Sequence, residues 1–142
     1  MTSGGQHTVT YMEDDLLESG QYYLYMFNNN FGYSKTRKDY DWTVNEGIQT
    51  SITEGTTSYY YQYLVDENEG TYILVNSFEV PFSAYVSSAQ NLGDHIVVDS
   101  GIAGLLSIYD TDGNLEQQFS IKKNDRFIYR IYYYDYKGYY FS

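Results

Sequence analysis

Two successive groups of four strand-like segments make up most of this chain, and this repetition constrains its fold more than any other feature. The predicted strands are 7–12, 21–27, 58–65 and 71–78 in the first group and 84–90, 95–100, 104–109 and 116–121 in the second. A turn-forming sequence lies between the third and fourth strands of both groups, at 66–70 and at 110–114. In the second of these turns, Asp112-Gly113 provides the positive φ that a tight hairpin requires.

Aromatic residues replace much of the aliphatic content that a core of this size normally has. Twenty tyrosines and seven phenylalanines occur in 142 residues, and aromatic side chains suit the half-buried, pleated surface of a sheet. Helical periodicity is nearly absent, and a short segment around 13–17 is the best candidate for a helix. The sequence therefore predicts an all-β protein.

Four-stranded antiparallel units that repeat along a chain are typical of β-propeller blades. Because a closed propeller needs at least about four blades, two units predict a partial β-propeller of about two four-stranded antiparallel blades. We expect a single domain over 1–142, with blade-like units at about 7–79 and 82–121 and a tail at 126–141.

Two further segments complete this prediction. In the tail, a C-terminal closing strand is expected at 127–134, followed by a Lys137-Gly138 turn and a last strand at 139–141. A long insertion at 28–57 separates the second and third strands of the first unit. Loops of this length are usually functional or disordered.

The composition excludes several classes of function. A formal net charge of −11 argues against nucleic acid as a partner, because phosphate binding needs a basic surface, and it equally disfavours an anionic membrane surface. The sequence contains no cysteine, so disulfides and thiolate metal sites are excluded. It has no apolar run long enough for a membrane span, and no His, Asp and Glu with the spacing of a metal site.

His7 is the residue most suited to chemistry. It is one of two histidines and stands at the entry of the first predicted strand. In a propeller blade this end of the inner strand faces the central channel, where a neutral imidazole can act as nucleophile, general base or metal ligand. An exposed histidine near a chain end is the alternative. The second histidine, His95, follows a Gly93-Asp94 turn and is predicted to be a turn residue without a catalytic role.

Three motifs occur in a fixed order along the chain: Gly5-Gln6-His7-Thr8, then Met26-Phe27-Asn28-Asn29-Asn30, then His95-Ile96-Val97-Val98-Asp99-Ser100-Gly101. In this order they resemble the C-terminal third of the bacterial aryl-sulfate sulfotransferases, and the similarity extends from about Gly4 to Phe141. The resemblance implies part of a six-bladed propeller that moves a sulfuryl group from a phenolic sulfate donor to a phenol acceptor, with no cofactor and no nucleotide sulfate. It places the transiently sulfated histidine on His7, with ping-pong kinetics, and it implies an exported enzyme.

Four other residues are candidates for substrate binding. Asn28 and Asn30 follow the strand beside His7, and their amides either donate hydrogen bonds to sulfate oxygens or only form a turn. Arg37 and its lysine neighbours form either an anion-attracting lid or a solvated loop tip. Ser100 ends the equivalent strand of the second unit, where it either points into the channel or bonds its own backbone.

The resemblance also implies that this chain carries only part of an active site, because the family's other active-site histidines and its arginine lie on earlier blades. We therefore expect a C-terminal fragment with little or no turnover alone. Its open strand edges predict association with the missing upstream blades or with further copies as a homo-oligomer. The alternative function is a non-catalytic, tyrosine-rich β-module that binds glycans or completes the propeller of another chain.

Overall fold

The computed structural model describes residues 4–134 and contains two four-stranded antiparallel sheets. In each sheet the strands lie side by side in chain order, which confirms the two predicted units and the all-β class. The strands of the first sheet are β1 (Gln6–Met12), β2 (Gln21–Asn28), β3 (Ser58–Asp66) and β4 (Thr71–Val80); those of the second are β5 (Ser88–Asn91), β6 (His95–Ser100), β7 (Leu105–Asp110) and β8 (Leu115–Ser120).

The predicted helix around 13–17 is wrong. This segment is a turn in which Asp14 Oδ1 accepts a hydrogen bond from Leu16 N at 2.9 Å and Asp14 O accepts one from Leu17 N at 3.0 Å. A carboxylate that bonds the backbone two residues ahead favours a turn over a helix. One 3-10 turn, Trp42–Val44, is the only helical element within 4–134, and that part of the chain holds no helix that could cross a membrane.

β5 is shorter at its start than the predicted strand at 84–90. The chain leaves the extended conformation at Val86 and Ser87, whose φ angles are 57° and 90°. Serine side chains hold this connection in place, because Ser87 Oγ donates to Ser83 Oγ at 2.8 Å and accepts from Gly101 N at 3.0 Å. The segment 83–87, in which every residue except Tyr85 is buried, therefore joins the two sheets as a fixed corner rather than as a strand.

The core lies between the two sheets. Strand alternation places Tyr25 and Phe27 of β2 on the face that meets the second sheet, and it places Ile96 and Val98 of β6 on the opposing face. Aromatic rings continue this layer, since the ring of Phe78 lies 4.9 Å from that of Tyr60 and 4.9 Å from that of Tyr109, centre to centre. The tyrosine-rich composition thus supplies the apolar area that joins the sheets.

The segment 127–134 lies over the second sheet, on the face turned away from the first sheet. It was predicted as a closing strand, but it does not form regular strand pairing. Side chains make its contacts instead: Ser88 Oγ donates to Ile131 O at 3.0 Å and accepts from Ile131 N at 3.1 Å, and Gln90 bonds both backbone groups of Tyr133 in the same way. The predicted Lys137-Gly138 turn and the strand at 139–141 lie outside the described residues.

Gly101→Ala is expected to displace this segment. Ile128 N donates to Gly101 O at 3.1 Å, and a Cβ on Gly101 would overlap the carbonyl oxygen of Ile128. We expect a loss of about 1–3 kcal/mol in the free energy of unfolding and faster tryptic cleavage after Arg126 and Arg130.

Gly70→Ala is the matched control for this experiment. Gly70 has a φ of 62° with nothing within 4 Å of an added Cβ, so alanine there costs about 1–2 kcal/mol through backbone strain alone. Equal tryptic cleavage of the two variants after Arg126 and Arg130 would contradict the predicted overlap.

Candidate active site

His7 lies at a β-bulge in β1, at the edge of the first sheet. His7 of β1 pairs with Phe27 of β2, and Thr10 pairs with Tyr25. Two residues therefore lie between the paired positions on β1 but only one on β2, so β1 has one extra residue. Thr8 accommodates the extra residue with a φ of 53°. Because a bulge turns the side chains on the bulged strand, this local irregularity sets the direction of the half-buried His7 ring.

The second sheet also contacts this bulge. The backbone N–H of Ala89 in β5 donates to Thr8 Oγ1 at 3.1 Å, although the two residues are 81 positions apart. The position of His7 therefore depends on how the two sheets pack against each other.

Asn29 is the closest polar neighbour of His7. Its Oδ1 lies 2.5 Å from His7 Nδ1, and its Nδ2 donates to Ser83 O at 2.6 Å and to Val86 O at 3.0 Å. The residue is fully buried. Sequence reasoning missed Asn29 as a site residue; its only signal was its place in the asparagine run that follows the strand beside His7.

Asn28 and Asn30 bond to segments other than His7. Asn28 is fully buried, its Oδ1 accepts from Gly4 N at 2.9 Å, and its Nδ2 has no acceptor in ordinary hydrogen-bond geometry within residues 4–134. The side-chain amide of Asn30 donates two hydrogen bonds to backbone carbonyls of the insertion, to Gly47 O at 2.7 Å and to Thr57 O at 3.3 Å. Asn28 Nδ2 interacts only with the Tyr61 hydroxyl, where it opposes part of the rise that burial causes in the pKa of Tyr61, whereas the Asn30 side chain holds the base of the loop.

Arg37 is exposed in a turn of the insertion, where Arg37 N donates to Ser34 O at 3.3 Å. Within the part of the chain that the structure describes, its guanidinium makes no hydrogen bond or ion pair, and no contact joins it to His7. The base of the same loop does lie close to the site, because Phe31 N donates to Gly4 O at 2.8 Å. The predicted role of Arg37 as part of a lid stays a prediction.

Ser100 and Asp99 end β6 on opposite faces of the second sheet. Ser100 is fully buried and its Oγ has no hydrogen-bond partner within 4–134, so the interpretation that it bonds its own backbone is wrong. Asp99 is also fully buried, and neither of its carboxylate oxygens has a partner in the same range. Burial raises the pKa of Asp99 to about 7.

His95 stands apart from this site. It begins β6, pairs with Asp110, and places Nδ1 2.9 Å from Glu116 Oε2 and Nε2 3.7 Å from Asp94 Oδ2. Its half-exposed ring agrees with the predicted turn-side position. Residues 4–134 contain no cluster of three His or acidic side chains that could hold a metal ion.

The tyrosine run at 59–61 packs on both faces of β3. Tyr59 and Tyr61 stack on one face with ring centres 5.5 Å apart, while Tyr60 is buried on the other face in the core between the sheets. The run therefore forms no single stacking surface, in agreement with the strand alternation expected from the sequence.

These features define a class: an all-β protein built from repeated four-stranded antiparallel sheets, with a histidine-centred polar site where two sheets meet. Comparison with protein families then identifies the chain. The model of the arylsulfotransferase (ASST) family matches residues 1–137, and the chain belongs to this family. This confirms the resemblance seen in the motifs and supports an aryl sulfotransferase-like function. Comparisons with curated proteins and with solved structures gave no match.

Proposed function

We propose that this chain takes part in moving a sulfuryl group from a phenolic sulfate ester to a phenol, with His7 as the group that carries it. One observation supports this role above the others. The half-buried His7 ring has Nδ1 engaged by Asn29, while Nε2 has no hydrogen-bond partner within residues 4–134. In a member of the arylsulfotransferase family, an oriented imidazole with one open nitrogen is suited to nucleophilic attack.

The proposed reaction has two displacement steps. In the first, His7 Nε2 forms a bond to sulfur and the bond from sulfur to the phenolic oxygen breaks, which releases a phenolate. In the second, the oxygen of another phenol attacks the same sulfur, the Nε2–S bond breaks, and the acceptor's proton passes to solvent. Two easier steps thus replace one difficult displacement and give ping-pong kinetics.

The site needs hydrogen-bond donors and cations around the transferring group, because charge accumulates on its peripheral oxygens. The donors in this proposal are the unpartnered Ser100 Oγ at the end of β6 and the Nδ2 of Asn28, which would exchange its interaction with the Tyr61 hydroxyl for one with a sulfate oxygen. Arg37 would supply a cation from the insertion, whereas the Asn30 amide acts through the loop that it holds.

Further blades would complete the site in this proposal. The face of the first sheet that turns away from the second sheet carries an open apolar groove, formed in part by Leu24, Met26, Tyr63 and Leu74. A neighbouring blade would cover such a groove and bring additional cations to His7. In this view the chain alone has little or no turnover.

Mass spectrometry after incubation with a nitrophenyl sulfate tests the proposal. The protein is used as the 142-residue chain and also joined to any coding sequence upstream of Met1. We expect one added SO₃ on the peptide that contains His7, with faster labelling in the longer form.

Two variants complete this test. His7→Ala is expected to abolish labelling, and His95→Ala, the matched control at the only other histidine, is expected to retain it. An adduct that persists in His7→Ala, or no adduct on wild-type protein in either form, would reject His7 as the carrier. Full turnover by the short chain would reject the need for further blades.

A further inference from the structure

We propose that Asn29 is a positioning residue that holds His7 in the tautomer protonated at Nδ1, so that Nε2 is the nitrogen with the available lone pair. The tautomer follows from the hydrogen bonds around Asn29. Its value to sulfuryl transfer rests on the function proposed above.

The orientation of the Asn29 amide is fixed by its neighbours. Two carbonyl oxygens, those of Ser83 and Val86, lie 2.6 Å and 3.0 Å from the amide nitrogen. If the amide were reversed, its oxygen would face both carbonyls with no proton between them. The amide nitrogen therefore faces the carbonyls with both hydrogens used, and the amide oxygen faces His7.

The orientation of the His7 ring follows in the same way. A separation of 2.5 Å from Asn29 Oδ1 is shorter than an ordinary N–H···O hydrogen bond and is far too short for a ring carbon against an oxygen. Because Oδ1 only accepts, the ring nitrogen must donate. Nδ1 thus carries the proton, and Nε2 is the nitrogen with the available lone pair.

This arrangement matches the chemistry of the carrier. After Nε2 bonds to sulfur, the ring is an imidazolium whose Nδ1–H still donates to Asn29 Oδ1. When the acceptor phenol takes the sulfuryl group, the ring returns to its neutral form with the same proton in place. No proton has to move on the ring in either step, and Asn29 stabilises the charged intermediate through a charge-assisted hydrogen bond.

The second sheet provides the groups that orient Asn29. Ser83 and Val86 belong to the corner at 83–87, where Val86 adopts a φ of 57° that a β-branched residue rarely takes. This strained corner directs two carbonyls at one buried amide, 54 and 57 positions earlier in the sequence. The tautomer of the histidine on one sheet is thereby set by the connection to the next sheet.

Long-range ¹H–¹⁵N correlation spectra of the imidazole rings test this inference directly on the 142-residue chain. Spectra recorded near pH 8 should show two ring systems, and His95→Gln identifies which belongs to His7. We expect the Nδ1–H form for wild-type His7. In Asn29→Ala the Nε2–H form should become the major one, and the rate of His7 sulfation should fall by about 10- to 100-fold.

Asn29→Asp separates positioning from a purely structural role. Both variants lose the two hydrogen bonds to Ser83 and Val86, so both are expected to be less stable, but only the aspartate keeps an acceptor for Nδ1–H. We expect Asn29→Asp to retain the Nδ1–H form. An Nε2–H form in wild-type protein, or one tautomer shared by wild type and Asn29→Ala, would overturn the inference. An Nδ1–H form in a protein whose His7 never gains SO₃ would leave the inference standing and reject the proposed function instead.

Discussion

Asp99→Asn is expected to raise the free energy of unfolding by up to about 4 kcal/mol near pH 8 and to change it little near pH 4. The carboxyl group of Asp99 is fully buried, and no residue within 4–134 donates a hydrogen bond to either oxygen. An ionised carboxylate in such a place loses its hydration without gaining a partner. Asparagine has the same shape and cannot ionise, so it avoids this cost.

The sign of the pH dependence follows from the two pKa values of Asp99. Burial raises the pKa of Asp99 in the folded protein to about 7, whereas the unfolded chain has the ordinary value of about 3.9. Below about pH 3 the folded and unfolded states both hold the proton, and near pH 4 the unfolded state begins to lose it while the folded state does not. Between about pH 4 and pH 7, Asp99 is ionised in the unfolded chain but still protonated in the folded protein. Each rise in pH over this range therefore favours the unfolded state and lowers the free energy of unfolding. The difference between wild type and Asp99→Asn should therefore grow over this range and then level off.

Asp110→Asn is the matched control, because it should show the opposite slope. Asp110 is a turn residue whose Oδ1 accepts from Asn114 N at 2.8 Å and from Asp112 N at 3.0 Å. Hydrogen bonds from Asn114 hold the pKa of Asp110 below its ordinary value, so its contribution is present at neutral pH and is lost on acidification. Urea unfolding of all three proteins from pH 2 to pH 8 measures these slopes, because the contribution of Asp110 is lost below about pH 4 and that of Asp99 changes between about pH 4 and pH 7. Parallel curves for wild type and Asp99→Asn would contradict an unpartnered buried carboxyl at this position.

Local sequence predicted much of the fold. Both sheets follow from strand alternation and from turn residues, and β6 agrees with its prediction at both ends. The hairpin glycines Gly70 and Gly113 have the positive φ angles that their turns require. β5 departs from its prediction because hydrogen bonds among Ser83, Ser87 and Gly101 override the strand preference of Val86. Such contacts join distant segments and leave no periodic signal.

The candidate site was predicted only in part, because contacts between distant segments leave no signal in the local sequence. His7 was recognised from its residue type and its place in a motif, both of which are local. Asn29 was missed because its role depends on carbonyls of the 83–87 corner, which the sequence places more than fifty positions away. The burial of Asp99 was not predicted either; Asp99 pairs with Ser88, whose side chain is bonded to the distant segment 127–134.

Phe27→Ala is expected to lower the free energy of unfolding by about 3–5 kcal/mol. Phe27 is fully buried in the core between the sheets and pairs with His7 on β1 and with Tyr60 on β3. Its removal leaves a cavity in a layer where rigid aromatic rings have little freedom to close the space. Phe119→Ala is the matched control: Phe119 lies on the outermost strand β8 and is 50% exposed, so its loss should cost about 1 kcal/mol or less.

Phe27→Ala also tests whether the packing between the two sheets positions His7. Phe27 lies opposite His7 and two residues before Asn29, and the Ala89 N–H that bonds Thr8 Oγ1 crosses between the same two sheets. A cavity at Phe27 loosens that junction, so hydrogen exchange at the Ala89 amide should accelerate in Phe27→Ala and stay at the wild-type rate in Phe119→Ala. If both phenylalanine variants lose the same stability and the Ala89 amide exchanges at an unchanged rate, the packing of the two sheets does not hold His7. If exchange at the Ala89 amide accelerates only in Phe27→Ala, His7 is positioned by the aromatic core rather than by its own strand.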